Sequence, residues 1–265
     1  MSYDVFYFSS RLTGLRASGL ASREGAATMF ASGCRIERNL PQHIGVILDG
    51  NRRWAERHGV SLTNAYMRGA VRVGELVSLC EEARIPVVTV FALSRDNMKR
   101  DPVAIGNILA ALAVGLSKIA ATGRWHVRPI GDLGFLPSAQ TSQLRIITDR
   151  TSDRSWGTLN VAIAYDGRAD IVEAVQKLIQ DRNPEMPSAA AVSEADLDRH
   201  LSTAGQPDID LVIRTSGEHR LSGFMPWQAA YAEYYVTTTA WPDFSAAVFA
   251  DALNWYCARE RRFGS

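Results

Sequence analysis

Lysine is nearly absent. It occurs only at Lys99, Lys118 and Lys177, so the other 26 of the 29 basic residues are arginine. With 28 acidic residues the formal charge is +1, which excludes the marked basic excess of a general nucleic-acid binder, and no nucleic-acid partner is expected. Cysteine is scarce too. Cys34, Cys80 and Cys257 are an odd number without a CxxC pair, which excludes a disulfide scaffold or a cysteine-based zinc site and fits a reducing, cytoplasmic compartment. No apolar run is read as approaching the roughly 20 residues of a transmembrane segment, and the N-terminus lacks a signal peptide's apolar centre. Nucleotide signatures are missing as well: there is no Gly-x-x-x-x-Gly-Lys and no Gly-x-Gly-x-x-Gly.

What remains is an arginine-rich chain of 265 residues, 46% hydrophobic, long enough to bury a full core. Its most informative stretch is His43 to Trp54, HIGVILDGNRRW. Ile44 to Leu48 reads as a strand buried on both faces. Asp49-Gly50-Asn51-Arg52-Arg53 follows, and Trp54 resumes a helical pattern. Backbone N–H groups and the positive helix end meet at such a handover, which suits an anion. A carboxylate beside an anion is repulsive unless a cation lies between them, so Asp49 points to a phosphate-bearing substrate with Mg²⁺. An ordinary strand-to-helix turn capped by Asn51 accounts for the same residues.

Residues 1 to about 40, rich in Ser, Gly, Ala and Arg, read as a peripheral, partly disordered N-terminal extension. Residues 41–265 read as one α/β domain. Further strands are predicted at 87–93, 126–131, 159–164, 210–213 and 234–237. Helices are predicted at 66–84, 102–122, 138–152 and 170–182, with a capping box at 193–196 and a closing helix over 246–262. A loop is expected at 183–191. The helix from Pro102 is apolar nearly all round; it is either simply buried or walls an apolar channel. The alternation implies a central parallel sheet of about six strands with helices on both faces. Polar clusters follow Leu48, Leu93, Ala164 and Ile213, all at C-terminal strand ends, the edge where ligands bind in such sheets. With Arg53, Arg100, Arg168, Arg214 and Arg220 on that rim, the ligand is expected to be strongly anionic.

At this point a resemblance becomes specific. HIGVILDGNRRWA, ALSRDNMKRDP, YDGR, IDLVIRTSGEHRLSGFMPWQAAYAEYY and the terminal RERRFG, in this order, resemble the cis-prenyltransferase family of the undecaprenyl diphosphate synthase type. There is no DDxxD run of the all-helical prenyl synthases. The resemblance implies an undecaprenyl diphosphate synthase-like fold, a homodimer and Mg²⁺ as cofactor. The substrates it implies are isopentenyl diphosphate and an allylic diphosphate. Asp49 matches the metal-associated aspartate, and Glu233 a second Mg²⁺ contact. Gly50, Asn51, Arg52, Arg53 and Trp54 fall in the allylic-diphosphate element. Asn97 stands at the family's proton-transfer position, with Ser94 and Arg100 beside it. Arg214, Arg220 and Ser222 match the isopentenyl diphosphate site, and Arg262 and Gly264 the C-terminal RxG element that reaches a partner's site.

The chain also departs from the long-chain pattern. Arg52 replaces a glycine, Leu62 and Tyr66 stand for an arginine and a histidine, Met98 for a tryptophan, Ala104 for a glutamate and Asp166 for a glycine. DGNRRW and RLSGF resemble the bacterial short-chain subgroup that makes (2Z,6E)-farnesyl diphosphate; the small Ala92, on the strand that lines the channel in the family, conflicts with this by leaving room for a longer product. Short-chain synthesis from geranyl diphosphate ranks first. A C50–C55 lipid-carrier synthase, whose product partitions to membrane, ranks second, and a catalytically silent partner subunit is the reading from another class.

Overall fold

The apolar runs do become a sheet, and its register fixes where every polar cluster lands. The computed structural model describes residues 40–153, 156–181 and 192–259. Six strands are present among the described residues: β1 (His43–Ile47), β2 (Val87–Ser94), β3 (Trp125–Ile130), β4 (Gly157–Tyr165), β5 (Leu211–Arg214) and β6 (Glu233–Val236). They lie in the order β3-β4-β2-β1-β5-β6, and every pairing is parallel. Seven helices accompany them: α1 (Asn51–His58), α2 (Leu62–Glu82), α3 (Pro102–Ala121), α4 (Ser138–Thr151), α5 (Gly167–Asp181), α6 (Glu194–Asp198) and α7 (Ala246–Cys257). The expected single α/β architecture is therefore present. The proposed N-terminal extension, Cys34 and the loop at 183–191 lie outside the described residues.

All five residues of β1 are buried, as a central parallel strand covered on both faces requires. Alternation divides its side chains between the two faces. A Cβ on Gly45 would meet Phe224 at 2.8 Å and Ile209 at 3.1 Å, so that face carries the segment before β5 and the β5–β6 connection. Ile44 and Val46, both 0% exposed, turn to the opposite face, where α2 and α3 pack. These two helices approach closely: a Cβ on Gly115 of α3 would stand 3.1 Å from the Ala70 carbonyl oxygen of α2. Contrary to the sequence expectation, α3 is by length and composition apolar enough to cross a membrane. Nine of its residues, from Ile105 to Ile119, are nevertheless buried within this fold.

Several boundaries differ from the sequence reading. The closing helix ends at Cys257 rather than near Arg262, with Ala258 as its cap. Asn51 does not cap α1; Gly50 does, at φ 101, and Asn51 is the first helical residue. Asp166, where a glycine was the family norm, caps α5 by accepting from the Ala169 N–H at 2.9 Å.

A polar layer crosses the sheet below the site. The His43 ring nitrogens meet the Pro207 carbonyl oxygen at 2.8 Å and Thr89 Oγ1 at 2.7 Å. The Asn160 amide donates to Thr89 Oγ1 at 2.9 Å and exchanges hydrogen bonds with Gln206. Burial lowers the His43 pKa from 6.5 to about 4. Below pH 6.5 the unfolded chain takes up a proton that the folded chain refuses, so stability falls as the pH drops from about 6.5 to about 4. The loss attributable to this ring is on the order of 3 kcal/mol. Denaturant midpoints measured across that window are expected to shift for the natural chain and to shift less for His43→Gln.

Candidate active site

At the C-terminal edge of β1 the chain makes a turn that three elements hold in place. The Asp49 N–H donates to Thr215 Oγ1 at 2.9 Å, and that hydroxyl in turn donates to the Asp49 carbonyl at 2.8 Å. The Trp241 N–H donates to the same carbonyl at 2.9 Å. The Gly50 N–H donates to Asp49 Oδ1 at 2.7 Å. Only glycine fits position 50, because φ is +101 and a Cβ would lie 2.8 Å from Ser216 Oγ. Ser216 itself takes a left-handed φ of 73, a strained conformation for a residue with a side chain. The first-turn N–H groups of α1 therefore open towards the space in front of Asp49, with no acidic residue among them.

That space is a cavity of about 650 Å³. Its mouth gathers Asp49, Gly50, Asn51, Arg52, Arg53, Ser94, Asn97, Arg100, Arg214, Arg220 and Ser222 from α1 and from the ends of β1, β2 and β5 with their loops; contrary to the sequence expectation, the cluster after Ala164, with Arg168, does not line it. Eleven of the sequence-predicted site residues thus meet at one place. Its interior is apolar, walled by Ala70 and Val73 of α2, Ile108, Ala111 and Leu112 of α3, and Phe91, Ala92 and Leu93 of β2. The apolar α3 is accordingly both a buried helix and a channel wall.

The charged groups at the mouth are linked in a ring. Arg214, 7% exposed, donates from Nη2 to Asp49 Oδ2 at 3.0 Å. Asp49 Oδ1 lies 3.4 Å from Arg53 Nη2. Arg53 Nη1 lies 3.3 Å from Glu218 Oε1, and Glu218 Oε2 accepts from Arg220 Nη1 at 2.6 Å. The Arg220 carbonyl closes the ring by accepting from Arg214 Nη1, which also donates to Ser222 Oγ at 3.1 Å. Arg52 and Arg100 make no ion pair among the described residues. Five arginines against Asp49, Glu56 and Glu218 leave the cavity with two net positive charges. Two buried polar atoms there lack a partner, Asn51 Oδ1 and Arg214 Nε. An orphaned buried donor is costly unless a ligand satisfies it.

Other expectations are corrected. Trp54 does not face the cavity: it is 8% exposed, packs with Ala55, Ala65 and Ala240, and donates from Nε1 to Asp243 Oδ2 at 2.7 Å. It anchors α1 instead. Glu233 is not beside Asp49. It opens β6 in register with Leu211, at the far end of the strand from the cavity, and pairs with Arg259 at 3.2 Å. Arg262 and Gly264 lie outside the described residues. Sequence reasoning gave no role to Glu218, Thr215 or Trp241. Glu218 lies between Arg214 and Arg220 in the same loop, and that interleaving of charges was the available signal.

Among the described residues no three His, Cys, Asp or Glu side chains converge to hold a metal. This suits Mg²⁺ all the same, since that ion is commonly bound by one or two carboxylates together with substrate phosphates. Asp49 has such a carboxylate: Oδ1 accepts from the Gly50 N–H and from Arg53, whereas Oδ2, which meets Arg214, keeps acceptor capacity for a cation.

Comparison with known proteins agrees with this geometry. The prenyltransferase family model described as "Putative undecaprenyl diphosphate synthase" matches residues 47–264. Isoprenyl transferase 1 of Streptomyces avermitilis is 41% identical over 240 residues, covering 87% of this chain and 93% of that protein. The (2Z,6E)-farnesyl diphosphate synthase of Mycolicibacterium smegmatis is 40% identical over 237 residues, covering 87% and 90%. Among solved structures, lavandulyl diphosphate synthase from Lavandula x intermedia in complex with dimethylallyl diphosphate superposes with a TM-score of 0.81. It is 29% identical, and the match covers 88% of this chain and all of that one. The chain belongs to the undecaprenyl diphosphate synthase family of prenyltransferases.

Proposed function

We propose that this prenyltransferase condenses isopentenyl diphosphate with geranyl diphosphate to form a short Z-isoprenyl diphosphate such as (2Z,6E)-farnesyl diphosphate. The observation that carries this reading is one cavity with an arginine-lined mouth and an apolar interior, the shape of a molecule with a diphosphate head and a hydrocarbon tail. In the reaction the allylic C1–O bond breaks and diphosphate leaves with the electron pair. The π electrons of isopentenyl diphosphate form a bond from its C4 to C1, and a proton is lost to give the new double bond.

The α1 N–H groups with Arg52 and Arg53 bind the allylic diphosphate, and Arg214, Arg220 and Ser222 bind isopentenyl diphosphate. Asp49 holds Mg²⁺, which when bound neutralises charge on the leaving diphosphate. The Asn97 side chain is a neutral amide and a poor base, so it orients a diphosphate oxygen or water rather than taking the proton itself. Arg52 and Arg100, without acidic partners, are the mouth's most available cations and offset the loss of cations at Leu62 and Tyr66.

Each added isoprene unit buries five carbons, worth about 4 kcal/mol at about 0.8 kcal/mol per carbon. Burial alone favours growth, so a steric floor limits the product. Beyond Val73 and Leu112 the next inward residues, Leu76 and Leu116, are 0% and 1% exposed, which supports a floor set by α2 and α3 rather than by Ala92. Homodimer assembly belongs to the same proposal and is supported by the exposed Tyr234 of the edge strand β6 and Tyr231 just before it. A cytoplasmic location accords with Cys80, a buried cysteine outside any disulfide.

The test offers dimethylallyl, geranyl and farnesyl diphosphates separately with Mg²⁺ and labelled isopentenyl diphosphate, then sizes the dephosphorylated products. A C15 product from geranyl diphosphate is expected. Products near C50 would replace this reading by the long-chain one.

A further inference from the structure

The two carboxylates of the charged ring are held differently. Asp49 is fixed by the Gly50 N–H donating to its carboxylate, by its own N–H donating to Thr215 Oγ1 and by that hydroxyl donating to its carbonyl. Glu218 lies on the loop after β5, with its side chain 30% exposed, and its carboxylate contacts two arginines from opposite sides. Oε1 meets Arg53 at 3.3 Å and Oε2 meets Arg220 at 2.6 Å. A guanidinium fork matches carboxylate and phosphate oxygens alike. A carboxylate spanning two such forks therefore has the charge and the donor contacts that a phosphate group has in that position. Both arginines are about half exposed or more, at 48% and 63%, so the pairs are weak enough to exchange.

We propose that Glu218 is a positioning residue that stands in for a phosphate group between Arg53 and Arg220, yields them to an arriving diphosphate, and takes them back as inorganic diphosphate leaves. The inference rests on the proposed reaction, which liberates one inorganic diphosphate per condensation. Five arginines around one cavity retain such a product strongly. A carboxylate competing for two of them lowers that retention without reducing the number of cations available when substrate binds. No covalent bond changes at Glu218; only ion pairs exchange.

The experiment titrates inorganic pyrophosphate calorimetrically, with a chelator present, into the full chain and into its Glu218→Gln and Glu218→Ala variants. Rates with geranyl and isopentenyl diphosphates and Mg²⁺ are measured alongside. Losing two exposed pairs is expected to tighten pyrophosphate binding about fivefold in both variants, and kcat and KM are expected to fall together as release slows. A residue that merely supports the loop would instead weaken pyrophosphate binding and raise KM, and that result overturns the inference. The natural chain binding pyrophosphate and condensing substrates, with unchanged affinity in both variants, overturns the inference alone. Failure of the natural chain to bind pyrophosphate or to condense substrates overturns the functional reading together with it.

Discussion

Replacing Asp49 by alanine is expected to lower Mg²⁺-dependent condensation by at least ~10²-fold, comparable to removing one strong electrostatic stabiliser. Asp49 is where the electrostatics of the mouth converge: its oxygens meet Arg214 at 3.0 Å and Arg53 at 3.4 Å. In the proposed function it is also the carboxylate that would hold Mg²⁺ together with substrate phosphates. Alanine removes both roles and leaves the buried Arg214 without its carboxylate, so a stability loss accompanies the activity loss. Asp49→Asn separates the two. It keeps the shape and one acceptor oxygen, so its denaturation midpoint should stay nearer the natural value while its activity falls by a comparable factor. The check is the initial rate of labelled isopentenyl diphosphate incorporation against Mg²⁺ concentration. Full Mg²⁺-dependent activity in the alanine variant would remove the metal role from Asp49.

Trp241→Ala is expected to cost about 3–5 kcal/mol of stability, the usual range for deleting a buried large aromatic side chain. The indole is 1% exposed, stacks on Phe244 at 5.1 Å and donates from Nε1 to the Gly69 carbonyl at 2.9 Å. Gly69 is glycine because a Cβ there would stand 2.9 Å from Asn51 Oδ1 and 3.1 Å from the indole. The backbone N–H of the same residue, which the alanine variant retains, holds the Asp49 carbonyl. The residue thus lies between the Asp49 turn and α2, and loss of its ring should loosen their packing and lower activity in the fraction that remains folded. Urea denaturation at constant m-value measures the first effect. Trp241→Phe keeps most of the packing and loses one hydrogen bond, so its cost should be about 1 kcal/mol.

The strands and their polar ends were legible because the signal is local. Ile44 to Ile47 followed by Asp49, or Val87 to Leu93 followed by Ser94, announces both a buried parallel strand and the edge at which its chemistry sits. Register was not legible. Glu233 is adjacent in sequence to tyrosines that read as a strand, yet parallel pairing with Leu211 puts it at the opposite end from the cavity. Direction on a helix was equally hidden. Trp54 follows two cavity arginines, but one residue further round α1 points into the cluster of Ala65 and Ala240. The capping of α1 by Gly50 rather than Asn51 depended on backbone torsion imposed by Ser216 and Ala240, residues remote in sequence. Glu218 needed three-dimensional distances, since only they distinguish a bridging carboxylate from a solvated one.

Mouth and interior of the cavity come from separate parts of the chain: α1, strand ends and loops supply the charged groups, whereas α2 and α3 supply most of the hydrocarbon wall. Heritable variation can therefore act on the two independently. Substitutions at Val73, Ile108, Ala111 or Leu112 alter the space offered to a tail without moving a phosphate ligand. Product size can therefore change by wall substitutions while the bond-forming apparatus keeps its residues. The same scaffold is then able to diversify by duplication, one copy holding the ancestral size and another drifting through wall mutations, with no inactive intermediate to cross.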